Sequence, residues 1–293
     1  MSIIRASRSY LFDLISSQSQ RLNTDMHKLT EQAVTGRRIN RPSDSPAEIG
    51  RVVRIREELA NQEGFKQNVG WSQSLLGTAD AVIGEGSNIM KRSHEIAVAM
   101  SNDTYSATDR QAAALEVDAL REELIRIGNT EIADRYIFAG NGYDEPPFDA
   151  AGAYTGSTDT PETLIGDDVW VQTGWDGSDF FQSGVDVFQV LDDLSVALNA
   201  NDADQVAVLI GDVGTGVEQI ISAHQSVGWA YAQADDYLIL SEKMEAELSG
   251  RLGSLVNADS AEVYLNLQEA QSAYGAALQV ATSGMNLSLF SQL

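Results

Sequence analysis

The side chains that could do chemistry are few, and their spacing does not suit it. Three histidines, His27, His94 and His224, stand far apart in segments that read as helix, and none has a partner at metal-ligand spacing. The adjacent acids Asp167-Asp168, Asp192-Asp193 and Asp235-Asp236 point apart on either a helix or a strand, so no pair shares a substrate. Residues 211–216, GDVGTG, have neither the preceding strand nor the following basic residue of a phosphate loop. No GxSxG, HExxH or P-loop spacing occurs. Without cysteine there is no thiolate zinc site, disulfide or cysteine nucleophile. The Asp-rich middle lacks EF-hand and nonapeptide calcium-loop spacing. The expectation is a non-enzyme with no catalytic, cofactor-binding or metal-ligating residue and no cofactor.

Composition narrows the class further. The 293 residues are 43% hydrophobic with a formal net charge of −24, enough apolar content for a sizeable core. Residues 1–135 hold 17 of the 19 Lys and Arg, while residues 136–242 hold nineteen acids and no Lys or Arg. Such a surface repels nucleic acid, whose binding requires phosphate neutralisation, and is read as a solvated outer face. No run of eighteen apolar residues occurs, so neither a membrane span nor a membrane partner is expected. The N-terminus lacks an apolar h-region and a small-residue cleavage site, which taken alone points to the cytoplasm.

The elements that would position any functional surface are helices around one basic connector. In residues 35–59, TGRRINRPSDSPAEIGRVVRIREEL, Arg37, Arg38 and Arg41 crowd together while Pro42 and Pro46 fix two φ angles. Ser45 followed by Glu48, with Pro46 between, reads as a capping box that starts a helix at Ala47. Before it, residues 3–34 form a thin amphipathic helix with Ile15, Leu22 and Leu29 seven apart, ended by Gly36. After it, Val69, Leu76, Ile83, Met90 and Ala97 keep the same period toward Met100. Gly70, Gly77 and Gly84 run alongside; they either admit a close helix or break this one. Ser106 with Asp109 caps a further helix carrying Ala113, Val117, Leu120, Leu124 and Ile127. Residues 141–186 read as a small β-rich insert, with 163–165 and 169–173 alternating as strands. Helices return at Val187 and again from Ala203 to Leu248. A last one, capped by Asp259, carries Val263, Leu267, Ala270, Tyr274 and Ala277.

Four stretches carry a resemblance to the flagellin-like axial proteins of the bacterial flagellum. Residues 32–56, QAVTGRRINRPSDSPAEIGRVVRIR, are similar to the family's TG-(K/R)-R-I-N-x-P-S-D-x-P block. Residues 68–97 resemble its long helix. Residues 109–140, DRQAAALEVDALREELIRIGNTEIADRYIFAG, resemble its E-x-x-x-L pattern closing in Y-x-F-A-G, and residues 259–293 its A-A-L-Q-V…S-L-F-x-x-L terminus. The resemblance implies a mainly α fold, a long antiparallel helical bundle or coiled coil formed by both chain ends, with a small β-rich inserted outer domain. Its divisions would be 1–140, 141–186 and 187–293.

The function implied is a structural adaptor that joins hook to filament by helical-ring assembly. The paired prolines and the ending Ser-Leu-Phe-Ser-Gln-Leu favour it over a small filament-forming flagellin; a cytosolic coiled-coil scaffold is the reading outside the family. The implied assembly interface is Thr35, Gly36, Arg37, Arg38, Ile39, Asn40, Pro42, Asp44 and Pro46, with Leu287, Leu289, Phe290 and Leu293. Arg37, Arg38 and Arg41 would pair with acidic neighbours across it. The implied partners are copies of the chain, hook-associated protein 1 on the hook side, flagellin on the filament side and a cytoplasmic export chaperone. Export by the flagellar type III route without a cleaved signal would place it outside the cell, and the terminal helices would order on assembly.

Overall fold

In the computed structural model the backbone is described for residues 2–290. Side chains are described from Tyr10 onward, apart from Leu11, Phe12, Ala281 and those beyond Ser283. Helix α1 spans Ser2–Thr35, α2 Pro46–Met100 and α3 Ala107–Gly128. Two short hairpins follow, β1 Glu131–Ile132 with β2 Arg135–Tyr136, and β3 Glu162–Gly166 with β4 Val169–Gln172, both antiparallel. Helices α4 Gly177–Phe181, α5 Val187–Asn199, α6 Ala203–Val256 and α7 Ser260–Phe290 complete the described chain. It divides into two compact units, one of Met1–Ala60 with Glu245–Leu293 and one of Asn61–Met244.

The first unit pairs the two chain ends, α1 against α7, as the resemblance implies. Gly36, with φ +67, ends α1 as expected, and its carbonyl accepts from the Ala258 N–H at 2.9 Å, just before α7 begins. Further along, Ile15, Ser19 and Asn23 of α1 share a groove with Tyr274 of α7, so the two helices run antiparallel. Their seam is thin. Ile15, Leu22, Met26 and Leu29 are only half-buried, as are Leu267, Ala270, Tyr274 and Ala277; Val263 alone in this set is buried.

The second unit holds the main core. On α2 the predicted row Val69, Leu76, Ile83, Met90 and Ala97 is fully buried, and the helix runs unbroken past its glycines. Tyr231 and His224 of α6 lie against Gly77 and Gly84, so two of the three glycines do face a neighbouring helix. A seven-residue row on α6, Val206, Val213, Ile220, Val227 and Ala234, is equally buried. It ends in a polar rung: Ser241 Oγ donates to Gln62 Oε1 at 2.9 Å. By length and composition part of α6 would suit a membrane span; here that helix sets its apolar row into this core. Helix α3 packs on α5, burying Val117, Leu124 and Ile127 with Leu191, Leu194 and Leu198. Each such side chain contributes about 1.5–3 kcal/mol on burial.

Local signals hold at most helix starts. Ser106 and Asp109 form the expected capping box at α3, and Asp259 accepts from Ala261 and Glu262 at the start of α7. Helix α6 continues eight residues beyond the expected Leu248, because Val256 is buried and nothing crowds Gly250. The stretch 141–186 is less regular than the β-rich reading. Its strands are the nine residues of β3 and β4, joined through Asp168 at φ 55, and turns link most of the rest. An aromatic cluster holds it together: Phe138 meets Phe181 edge-on at 5.7 Å, and Phe148 meets Phe188 at 5.0 Å. Such pairs add about 0.5–1.5 kcal/mol beyond area burial.

Candidate assembly interface

The connector between α1 and α2 is built from backbone outward. Thr35 ends α1 with its hydroxyl on the Glu31 carbonyl, and accepts in turn from the Arg37 N–H. Ile39 turns inward and is buried, while Arg38 and Ile39 each donate a backbone N–H to the Val256 carbonyl, at 2.7 and 3.3 Å. Arg37 bridges Asn257 in a short antiparallel step, and Asn40 Nδ2 donates to the Arg37 carbonyl at 3.0 Å. Pro42–Asp44 make one 3₁₀ turn, a use of proline that costs no donor needed elsewhere. Asp44 closes this turn. Its Oδ2 accepts from the Asn40 and Arg41 N–H groups at 2.9 and 2.8 Å. These bonds, Arg41's first, hold the carboxyl below its usual range.

The capping-box reading of Ser45 and Glu48 needs correction. Helix α2 starts at Pro46, with Ser45's carbonyl accepting from Glu48 and Ile49. The Glu48 carboxylate, however, faces Arg38 at 2.8 Å and the Ser45 hydroxyl at 3.0 Å. Both contacts, Arg38's first, lower its pKa. A guanidinium ten residues away outcompetes a local N–H because a charge-assisted bond is the stronger one. The same Arg38 Nη2 donates to the Leu255 carbonyl at 2.7 Å, an end-of-helix oxygen on α6. One side chain thus staples the connector to the start of α2 and the end of α6. Arg41 pairs with Glu31 at 3.1 Å.

Arg38 and Arg41 therefore face acids of their own chain, whereas the Arg37 side chain has no ion pair among the described residues. Thr35, Gly36, Arg37, Arg38, Pro42 and Pro46 are exposed, and Asn40 and Asp44 half-buried; Ile39, expected at the interface, is instead buried against its own chain and offers a partner no surface. Leu287, Leu289 and Phe290 lie within α7, but their side chains are outside those described; Leu293 lies outside the described residues. The residues that sequence reasoning missed are the ones that hold the connector from behind. Gln32, nine-tenths buried, donates from Nε2 to the Arg38 carbonyl at 3.0 Å, and Val256 and Leu255 receive its N–H groups. Only the break in the α1 apolar row at Gln32 hints at this in the sequence. Among the described residues no group of three His, Asp or Glu is placed to hold a metal ion.

Against known proteins, residues 14–142 match the bacterial flagellin N-terminal helical region. Flagellar hook-associated protein 3 of Salmonella typhimurium is 25% identical over 61% of this chain and 57% of its own length. That of Escherichia coli is 27% identical over 53% of this chain and 50% of its own. The chain thus spans about half the length of the curated relatives it matches. The crystal structure of the flagellar junction protein FlgL from Legionella pneumophila superposes with a TM-score of 0.57 at 14% identity, covering 68% of this chain and all of that one; it shares the fold. With the basic, proline-bounded connector and the paired terminal helices, the match places residues 14–142 in similarity to the flagellin N-terminal helical region, and over 68% of its length the chain shares the fold of the junction-protein structure.

Proposed function

We propose that the chain is a structural adaptor of the bacterial flagellum, assembling with copies of itself where hook meets filament. One observation carries the reading: the α1–α7 pair keeps large apolar side chains on its outer side. Val34, Tyr264 and Leu265 are 80%, 67% and 60% exposed. Apolar side chains on an already paired helix are surface to be buried by another chain. The thin inner seam leaves the pair marginal alone, so burial between copies would offset the ordering entropy of these helices. Terminal helices would line the assembly, residues 35–46 would meet adjacent copies, and residues 141–186 would face outward.

On this reading the hook side meets hook-associated protein 1 and the filament side meets flagellin. A cytoplasmic chaperone holds the chain before type III export, and the mature protein lies outside the cell. The likeness to hook-associated protein 3 chains supports the junction. Immunogold electron microscopy of flagellated cells with antibody against residues 141–186 tests it. One cluster of label at the hook–filament boundary is expected. Label along the whole filament would make the chain a flagellin, and label confined to the cell body would make it a cytosolic scaffold.

A further inference from the structure

A cleft in the second unit lies outside the core and the connector. It opens along α6 from Ser226 to Leu240, with Gln172 of β4 on the opposite wall and a volume of about 610 Å³. Trp229 stands at this cleft with 78% of its surface exposed, the most exposed tryptophan of the chain. Asp236 lines the same cleft. Gln233 Nε2 donates to the Trp170 carbonyl at 3.3 Å, tying β4 to this stretch of α6. An exposed indole and a carboxylate about two helical turns apart, lining one cleft, suit arginines, whose guanidinium groups stack on rings and pair with acids.

Charge distribution indicates where that guanidinium comes from. The second unit carries eight Lys and Arg against thirty-one Asp and Glu, and most of its cations are already engaged. Arg92, Arg121 and Arg126 are in ion pairs. Arg110 is buried and donates to Asn201, Met100 and Asn102, and Arg135 sits over the rings of Trp71 and Tyr143. The first unit is nearly balanced, eleven against twelve. Yet Arg51, Arg54 and Arg56 at the start of α2 are exposed and have no ion pair among the described residues.

Building on the self-assembly reading, we propose that the Trp229 cleft of one copy receives arginines from the start of α2, Arg54 foremost, of a second copy. The contact is heterologous: one face of the chain meets a different face of its neighbour. Such contacts repeat into a closed ring or a helix rather than ending at a dimer. Both surfaces are exposed in the single chain, so substitutions there leave its fold in place.

The chain has no cysteine, so introduced thiols report cleanly. Flagella are isolated from cells producing the full chain with Ala232→Cys and Glu58→Cys, exposed neighbours of Trp229 and Arg54 that leave both contact residues in place, and treated with a short bis-maleimide. Mass spectrometry is expected to find 58–232 links between copies. Adding Asp236→Arg should cut their yield about tenfold, the effect of roughly 1.4 kcal/mol, and a further Arg54→Asp should restore part of it. Links of 232 to 232 would mean a symmetric contact and overturn the proposal. Absence of 58–232 links while immunogold still marks the junction overturns the cleft alone. Loss of flagellar label from the unsubstituted chain overturns the adaptor reading beneath it.

Discussion

Single residues of the connector make separable contributions. Arg38 serves Glu48 and the Leu255 carbonyl from one nitrogen, and Lys offers a point charge without the rigid fork. Arg38→Ala should lower stability by about 0.5–1 kcal/mol, the scale of a partly exposed pair, read as a shift in the urea midpoint; no shift would show that the contacts contribute nothing net. Asp44 has a depressed folded pKa, so its contribution is present above the ordinary value of 3.8 and lost as pH falls through and below it. Hydrogen exchange should show the Asn40 and Arg41 amides protected at pH 6 and opening below pH 3.8, while Asp44→Ala leaves them open throughout. Gly140 has φ +59, and a Cβ there would fall on the Ser157 carbonyl oxygen. Gly140→Ala should cost more than about 1 kcal/mol, whereas Gly70→Ala, where nothing lies within 4 Å, should stabilise α2 by about 0.5–1 kcal/mol. Equal effects from the two would refute the steric account.

Helices with the same heptad spacing differ in how much they bury. The α2 row from Val69 to Ala97 is fully enclosed, while the α1 and α7 rows are half-covered over the same heptad spacing. Leu76→Ala should therefore destabilise by about 2–5 kcal/mol, and Leu22→Ala by less than about 1 kcal/mol in the single chain. Leu22→Ala should weaken assembly instead. Limited proteolysis of the unassembled chain should trim α1 and α7 first and leave a fragment within residues 61–244, the behaviour of elements with few buried contacts. Cleavage starting inside α3 or α5 would contradict this ranking of the elements. The hairpins also differ in how they are held. β3 and β4 are fastened to helices, with Asn68 Nδ2 donating to the Leu164 carbonyl at 2.7 Å and Tyr237 covering Gly166.

For the molecule as a whole the decisive number is the charge. Of the net −24, the second unit accounts for −23, eight basic against thirty-one acidic side chains, and the first for −1. On the proposed reading a nearly neutral first unit can approach its copies, while a strongly acidic second unit disfavours non-specific association. Raising NaCl from about 20 mM to about 500 mM should raise the thermal midpoint of the single chain, because screening relieves self-repulsion. A midpoint that falls with salt would mean that ion pairs outweigh repulsion.

Sequence by itself determined the elements whose partners are near in the chain or repeat along it. Heptads placed the α2 core row, Ser106 with Asp109 placed the start of α3, and alternation around Gly166-Asp167 placed the β3–β4 hairpin. The connector motif carried the likeness to flagellin-like proteins, within the matched residues 14–142. The resemblance implied the pairing of the chain ends. Tertiary structure alone decided what depends on distant partners. Glu48 looked like a cap and became an ion-pair partner because Arg38 lay within reach. Arg38 in turn found Leu255, 217 residues away. Residues 141–186 read as a small β-rich insert, yet Phe138 and Phe188 from outside the stretch join it in an aromatic cluster. The β1–β2 hairpin, turning through Ala133 and Asp134 at φ 50 and 62, carries no glycine to announce it. Local periodicity shows which face of an element is apolar, but a polar or aromatic group with several possible partners is settled by which of them the fold brings within bonding distance.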